Sequence, residues 1–292
     1  MAKKSLRRTA AVLLIIAAFF CIDRHLTYNN FIANSDYFGK NDFEITCHNH
    51  PEKVWDKVFF GNSVVISSFI EEESNSGYIN LGLDYGVVCD LWEMIDKGFI
   101  EIGSELVVGL NYLTLYDEFE TNPTYIWHKS VFEPYVYFER DRFYPLITKG
   151  FDNILKLSSP MPQKFGPQSK SVYHGMVADH ALEEKLKEYE EEYFNLPLEK
   201  FSKNITALED VIMYCNENNI RLRVVWMPWN PHFEKPKLLT DLKTVTNSLL
   251  TRYNVEALDL EDELSKNCFY DTGHLNYEVG SPIFTELIDK WL

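Results

Sequence analysis

Positive charge is scarce in this chain. It has 28 Lys and Arg against 44 Asp and Glu among 292 residues, a formal charge of −16. Lys3, Lys4, Arg7 and Arg8 all precede the first apolar run, so the rest of the chain is more acidic still. A domain with that field repels nucleic acid and anionic membrane surfaces, and it suits a neutral or cationic ligand better than a polyanion. Metal-binding patterns are missing as well. No pair of histidines has H-E-x-x-H spacing, and Cys47, Cys89, Cys215 and Cys268 match no zinc pattern. The sequence therefore predicts neither a metal nor a cofactor. An exported chain can pair two of these cysteines, but buried free thiols are the simpler expectation. There is no internal repeat and no low-complexity tract.

What the chain has in quantity is aromatic residues, 15% of the total, within an apolar share of 46% that is ordinary for a globular protein. Its length suffices for one large domain with a sizeable core. The N-terminus reads as an export signal. Lys3 to Arg8 are basic, Ala10 to Ile22 run without a charge, and Asp23 and Arg24 end the run. The run is short of the roughly 20 residues of a membrane helix, and no A-x-A cleavage site follows it. Phe19 and Phe20 before Cys21 are unlike a lipoprotein site. The expectation is an uncleaved, single-pass signal anchor over residues 1–25, with the basic end inside and the remainder extracytoplasmic. An ordinary cleaved signal peptide is the competing possibility.

Residues 26–55 form a polar and aromatic lead-in to a domain over 56–292. Within it, short apolar runs end in glycine or a polar residue: Val58 to Gly61, Tyr78 to Gly82, Glu105 to Asn111, Arg221 to Met227 and Val255 to Leu260. Such runs suit buried parallel strands. Helical spacing lies between them, over Val87 to Ile95, 182–194, Phe201 to Cys215, 237–252 and Tyr277 to Trp291. Residues 112–180 break the rhythm with Tyr112, Phe119, Trp127, Tyr135, Phe143, Tyr144 and other rings, and read as an aromatic-rich insertion after the third strand. Strands alternating with helices predict an α/β fold, a parallel sheet in a three-layer α/β/α sandwich. Ligands bind such sheets beyond the carboxyl ends of the strands.

Four polar motifs fall at those ends: Gly61-Asn62-Ser63, Asn80-Leu81-Gly82, Gly109-Leu110-Asn111 and Asp271-Thr272-Gly273-His274. A serine hydroxyl is a weak nucleophile until a base takes its proton. His274 is a base in the right place, and Asp271, three residues earlier, is an acceptor that fixes its tautomer. Acyl transfer also needs donors for a developing oxyanion, and the N–H groups of Ser63 and Gly82 with the Asn111 amide are candidates. Each element alone has an ordinary explanation. Ser63 and Asn111 are of the residue types that cap helices, and a glycine at 82 suits an ordinary turn. Ser67 and Ser68 lie inside the following helix, and His48, His50, His128, His174 and His180 lie away from the motifs.

In this order and spacing the motifs resemble the four blocks of the SGNH (GDSL-type) hydrolase superfamily, over about residues 57–292. The resemblance implies a flavodoxin-like fold, Ser63 as nucleophile, His274 and Asp271 as its partners, and Gly82 and Asn111 at the oxyanion. Asn62 departs from the aspartate usual in the first block. Pro228 and Asn230 after the fourth strand, the basic anchor and His274-Leu275-Asn276 are similar to the DltD-like and polysaccharide O-acetyltransferase-like branch. That similarity implies an O-acyltransferase acting on an envelope glycan beside a membrane-bound O-acyltransferase that supplies the acyl group. D-alanyl transfer to teichoic acid, a carbohydrate esterase and a non-catalytic scaffold subunit are the alternatives. Scarce cations favour acetyl transfer to a neutral glycan over chemistry on a polyphosphate.

Overall fold

The computed structural model describes residues 2–35, 38–142 and 162–292. In chain order the main elements are α1 (Ala2–Asn29), α2 (Asp42–Asn49), β1 (Trp55–Gly61), α3 (Ser63–Ser68), β2 (Ile79–Gly82), α4 (Val88–Asp96), β3 (Ile102–Leu110) and α5 (Tyr112–Leu115). They continue with α6 (Tyr135–Phe138), α7 (Asp179–Tyr189), α8 (Ser202–Glu217), β4 (Arg221–Trp226), α9 (Lys237–Arg252), β5 (Glu256–Asp259) and α10 (Gly280–Trp291). The chain divides into two compact units. Residues 1–44 and 123–163 form one, and residues 45–122 and 164–292 form the other. The stretch 112–180 is thus shared between them, and Phe143 and Tyr144 lie outside the described residues.

The larger unit is an α/β fold. Its five strands are all parallel, in the order β2-β1-β3-β4-β5. Val58, Phe60, Leu106, Val108 and Val224 alternate with Phe59, Val107 and Val225, and all eight are fully buried, so both faces of the sheet are covered. Right-handed crossovers explain the layers. The step from β1 to β2 runs one way along the sheet and the steps to β3, β4 and β5 run the other, which sends α3 to one face and α4, α8 and α9 to the opposite one. Packing agrees: α10 packs on α3, and α8 packs on α4. The core on the α3 side gathers Phe59, Val65, Phe69, Val107, Val225, Phe269, Leu275, Phe284 and Ile288.

The order of connections reverses between β1 and β3, and their carboxyl ends deliver Asn62–Ser63 and Asn111 side by side. A sheet of this order has its ligand crevice at that switch point. Close approach of α3 depends on glycines there. A Cβ on Gly61 would stand 2.2 Å from Val65 Cγ2, and one on Gly82 would stand 2.6 Å from the Ile66 backbone nitrogen.

Most elements fall where the sequence places them, but β1 and β3 each begin three residues earlier than expected, at Trp55 and Ile102, and two helices also differ. The last helix starts only at Gly280, because the buried Asn276 side chain accepts the Val279 and Gly280 N–H groups and holds the chain in a turn. The helix expected over 182–194 is α over Asp179–Tyr189 and then widens into a π turn over Glu190–Phe194. Among the described residues no disulfide joins any of the five cysteines.

In the smaller unit, α1 includes a 23-residue stretch, Arg7–Asn29, of mean hydropathy 1.8, long and apolar enough to cross a membrane. Tyr125 and Trp127 stack at 4.6 Å in its buried part.

Candidate active site

Ser63 begins α3 directly after β1. Asn62 caps that helix, its side-chain oxygen accepting the Val64 N–H at 3.0 Å. Ser63 at the first helical position keeps a backbone N–H that has no partner within the helix. Its hydroxyl oxygen lies 2.8 Å from His274 Nε2. His274 Nδ1 lies 2.8 Å from Asp271 Oδ2. A carboxylate only accepts, so Nδ1 carries the proton and Nε2 presents its lone pair to Ser63.

The loop that carries both partners is fixed by its own backbone. Asp271 Oδ1 accepts the N–H groups of Gly273 at 3.0 Å and His274 at 2.8 Å, and the Tyr270 N–H donates to the His274 carbonyl at 2.8 Å. The buried Asn230 donates to the Asp271 carbonyl at 2.8 Å, which gives the polar residue after β4 a positioning task. Burial pushes the Asp271 carboxyl up, but the hydrogen bond and charge of His274 and the two backbone donors outweigh it and hold the carboxyl below its ordinary range.

Asn111 caps α5. Its Oδ1 accepts the Thr114 N–H at 2.9 Å, and its backbone N–H donates to Thr114 Oγ1 at 2.7 Å. This fixes the amide orientation and turns Nδ2 toward Asn62, whose Oδ1 it meets at 3.3 Å, while Asn62 Nδ2 donates to Asn111 Oδ1 at 3.2 Å. An aspartate at position 62 would lose that second bond, because it has no donor. The asparagine in the first motif is therefore matched to the third.

Gly82 is placed differently from its expected role. Its N–H donates to Asn80 Oδ1 at 2.9 Å, and it is not among the residues that line the cavity beside Ser63. Asn80 in turn donates to the Phe69 carbonyl at 2.7 Å and ties the end of α3 to β2. The loop after β2 reaches the cavity through Asp84 and Tyr85, and Tyr85 holds a φ of 60°. Ser67 and Ser68 are buried in α3, away from the cavity lining.

The cavity has a volume of about 380 Å³. Ser63, Asn111 and His274 open onto it, and its walls carry Tyr85, Tyr112, Phe119, Tyr173, Tyr189, Tyr193, Trp226 and Trp229. Asp84, Glu192 and Glu261 face it with Lys185. Sequence reasoning missed Tyr173. Its ring covers the His274 imidazole at 4.3 Å between centroids and stacks on Tyr270 at 4.9 Å. Backbone bonds from Tyr277 N–H to the Tyr173 carbonyl and from Val177 N–H to the Tyr270 carbonyl, both 2.8 Å, lay this strap across the loop. No periodicity marks the strap in the sequence, so nothing local distinguishes Tyr173 from its neighbours.

No protein-family model matches the sequence, and no curated protein matches it. A crystal structure from Bacteroides fragilis NCTC 9343, provisionally assigned as an acylhydrolase, superposes over 83% of this chain and 87% of its own, with a TM-score of 0.38 and 11% sequence identity.

Proposed function

We propose that this chain is an extracytoplasmic serine acyltransferase, anchored by α1, that moves an acyl group onto a hydroxyl of an envelope glycan. The observation that carries this reading is the continuous relay from Asp271 through His274 to Ser63, the last two lining an aromatic-walled cavity. In the first half-reaction His274 takes the Ser63 proton as the hydroxyl attacks an acyl donor. It then returns the proton to the leaving group, and an ester on Ser63 remains. In the second, His274 takes a proton from the acceptor hydroxyl as it attacks that ester, and gives that proton to the Ser63 oxygen as the ester bond breaks, which restores Ser63. The Ser63 N–H and the second hydrogen of the Asn111 NH₂ group, the first being given to Asn62, are the donors for the oxyanion in both halves. Gly82, whose N–H is engaged by Asn80, serves instead as the packing point of α3 on β2.

Charge supports a neutral acceptor. Three carboxylates face the cavity with one lysine. Arg223, one of the few arginines of the domain, is buried and paired with Glu105 on β3 at 2.8 Å. A polyphosphate acceptor would meet repulsion, whereas a glycan hydroxyl on an aromatic wall would not. The preferred reaction is therefore acetyl transfer, with a membrane-bound O-acyltransferase as the source of the acyl group. The aromatic walls keep water from the acyl serine. A simple esterase uses the same relay with water as the acceptor.

The test is covalent labelling of the purified protein with a fluorophosphonate. Wild type is expected to label at Ser63 and Ser63→Ala to lose the label while keeping its melting temperature. Failure of the folded wild type to label would leave a binding or scaffold role. Adding an acceptor glycan to a labelled acyl donor separates transfer from hydrolysis. Ester-linked acetate and D-alanine in the envelope of a deletion strain separate the two acyl groups.

A further inference from the structure

We propose that the loop from Lys129 to Tyr135, with Val131 and Phe132 at its tip, inserts into the membrane interface beside α1, so that the smaller unit is held to the bilayer at two points. This rests on the reading of α1 as a membrane anchor. As a helix, the uncharged run Ala10 to Ile22 is ~20 Å long, short of a ~30 Å hydrocarbon core. Asp23 stands at its end, where a lone carboxylate would oppose deeper burial.

Asp23 is not alone. Lys129 Nζ lies 2.9 Å from its Oδ2, with side chains only 4% and 11% exposed. The Tyr135 N–H donates to Asp23 Oδ1 at 2.5 Å. Both ends of the loop are thus fastened to one carboxylate. The Tyr135 hydroxyl adds a clamp on the end of the helix, accepting the Ile32 N–H and donating to Asn30 Oδ1, each at 2.9 Å. A residue advances the chain by at most ~3.6 Å, so the tip stays within about 11 Å of a fastened end. The loop tip therefore lies near the level of the helix at which the apolar run stops.

The tip is bare. Phe132 is 86% exposed and Val131 75%. Tyr137, Tyr28 and Phe31 are exposed nearby along the same unit, and the Arg140 guanidinium lies 4.4 Å over the Tyr137 ring. Single exposed apolar residues need no explanation, but apolar side chains and aromatics gathered at the end of an apolar helix, around a neutralised ion pair and with an arginine on a tyrosine, match the headgroup layer. Continuity with the apolar surface of α1 selects lipid as the occupant.

The test places the photocrosslinker p-benzoylphenylalanine in the full-length chain, in separate variants, at Phe132, at Ile15 within α1 and at Met213, an exposed position of the sheet-bearing unit. Each is reconstituted in phosphatidylcholine vesicles, illuminated and weighed for lipid adducts. The expected result is an adduct at position 132 comparable to that at 15 and well above that at 213. An adduct at 15 with only background at 132 overturns the loop insertion and leaves the anchor standing. The same pattern with a protein adduct at 132 in native membranes assigns the patch to a protein partner and equally overturns it. Background at both 15 and 132 removes the anchor itself, and the insertion with it.

Discussion

Asp271 decides which way the relay points. Its carboxyl is held low, so it contributes stability at neutral pH that is lost only as the pH falls through that lowered value. Its two oxygens have separate tasks, since Oδ1 folds the loop through Gly273 and His274 and Oδ2 orients the imidazole. Asp271→Asn separates them. An amide oxygen at the Oδ1 site still accepts the two backbone donors, but the NH₂ group then faces His274 Nδ1 and selects the tautomer with its proton on Nε2, toward Ser63. The expected outcome is a fall in kcat for ester hydrolysis of ~10³- to 10⁴-fold with the fold retained. Steady-state kinetics and a thermal melt on the same sample check it, and a variant with full activity would break the relay. Tyr173 acts on the same imidazole from its face, covering the ring that Asp271 holds at its edge.

Strand ends were legible in the sequence because a buried parallel strand is a short apolar run, and the turn after it must start with residues that tolerate close approach or cap a helix. Ser63, Asn111 and the Asp271–His274 loop converge because each lies beyond the carboxyl ends of the strands, a consequence of parallel topology that spacing alone conveys. Two things were not legible. The division at 123–163 depends on which distant segments pack together, and the placement of Tyr173 depends on backbone bonds to Tyr277 and Tyr270 from a strap without a pattern. Gly82 shows the same limit from the other side. As a motif residue it reads as a hydrogen-bond donor to substrate, yet its N–H is engaged by Asn80 and its missing side chain admits the backbone of α3. Gly82→Ala would put Cβ 2.5 Å from Ile66 Cγ1 and 2.6 Å from Ile66 N. Either β2 or α3 must move, at a cost of about 1–3 kcal/mol. A melting temperature lowered by several degrees is expected, with slower labelling of Ser63 as the helix that carries it shifts. An unchanged melt would mean that the contact relaxes freely.

Across the molecule the excess of carboxylates makes stability a question of pH, and one buried carboxyl of the smaller unit, Glu139, responds with the opposite sign to three carboxylates of the sheet-bearing unit. In the sheet-bearing unit burial pushes Glu71, Glu105 and Asp271 up but is outweighed by donors: His50 and the Asn80 N–H at Glu71, Tyr78 and Lys57 at Glu105, and His274 at Asp271. Each stabilises the fold above the ordinary carboxylate range and loses that contribution as the pH falls through its lowered value. Glu139 in the smaller unit does the reverse. It is buried, its Oε1 has no hydrogen-bond partner among the described residues, and its Oε2 meets Arg142 Nε at 2.8 Å. Burial pushes its carboxyl up to about 7 against the pull of Arg142, and Glu44 adds to the rise. A carboxyl raised on folding favours the folded state while both forms are protonated, and that contribution is lost as the pH climbs from the ordinary carboxylate value through about 7. Glu139→Gln keeps the shape and removes the titration. Melting curves at about pH 5 and about pH 8 should then show the variant gaining on wild type as the pH rises. A difference between variant and wild type that stays constant with pH would mean that Glu139 is ionised in the folded chain at both values, held so by Arg142.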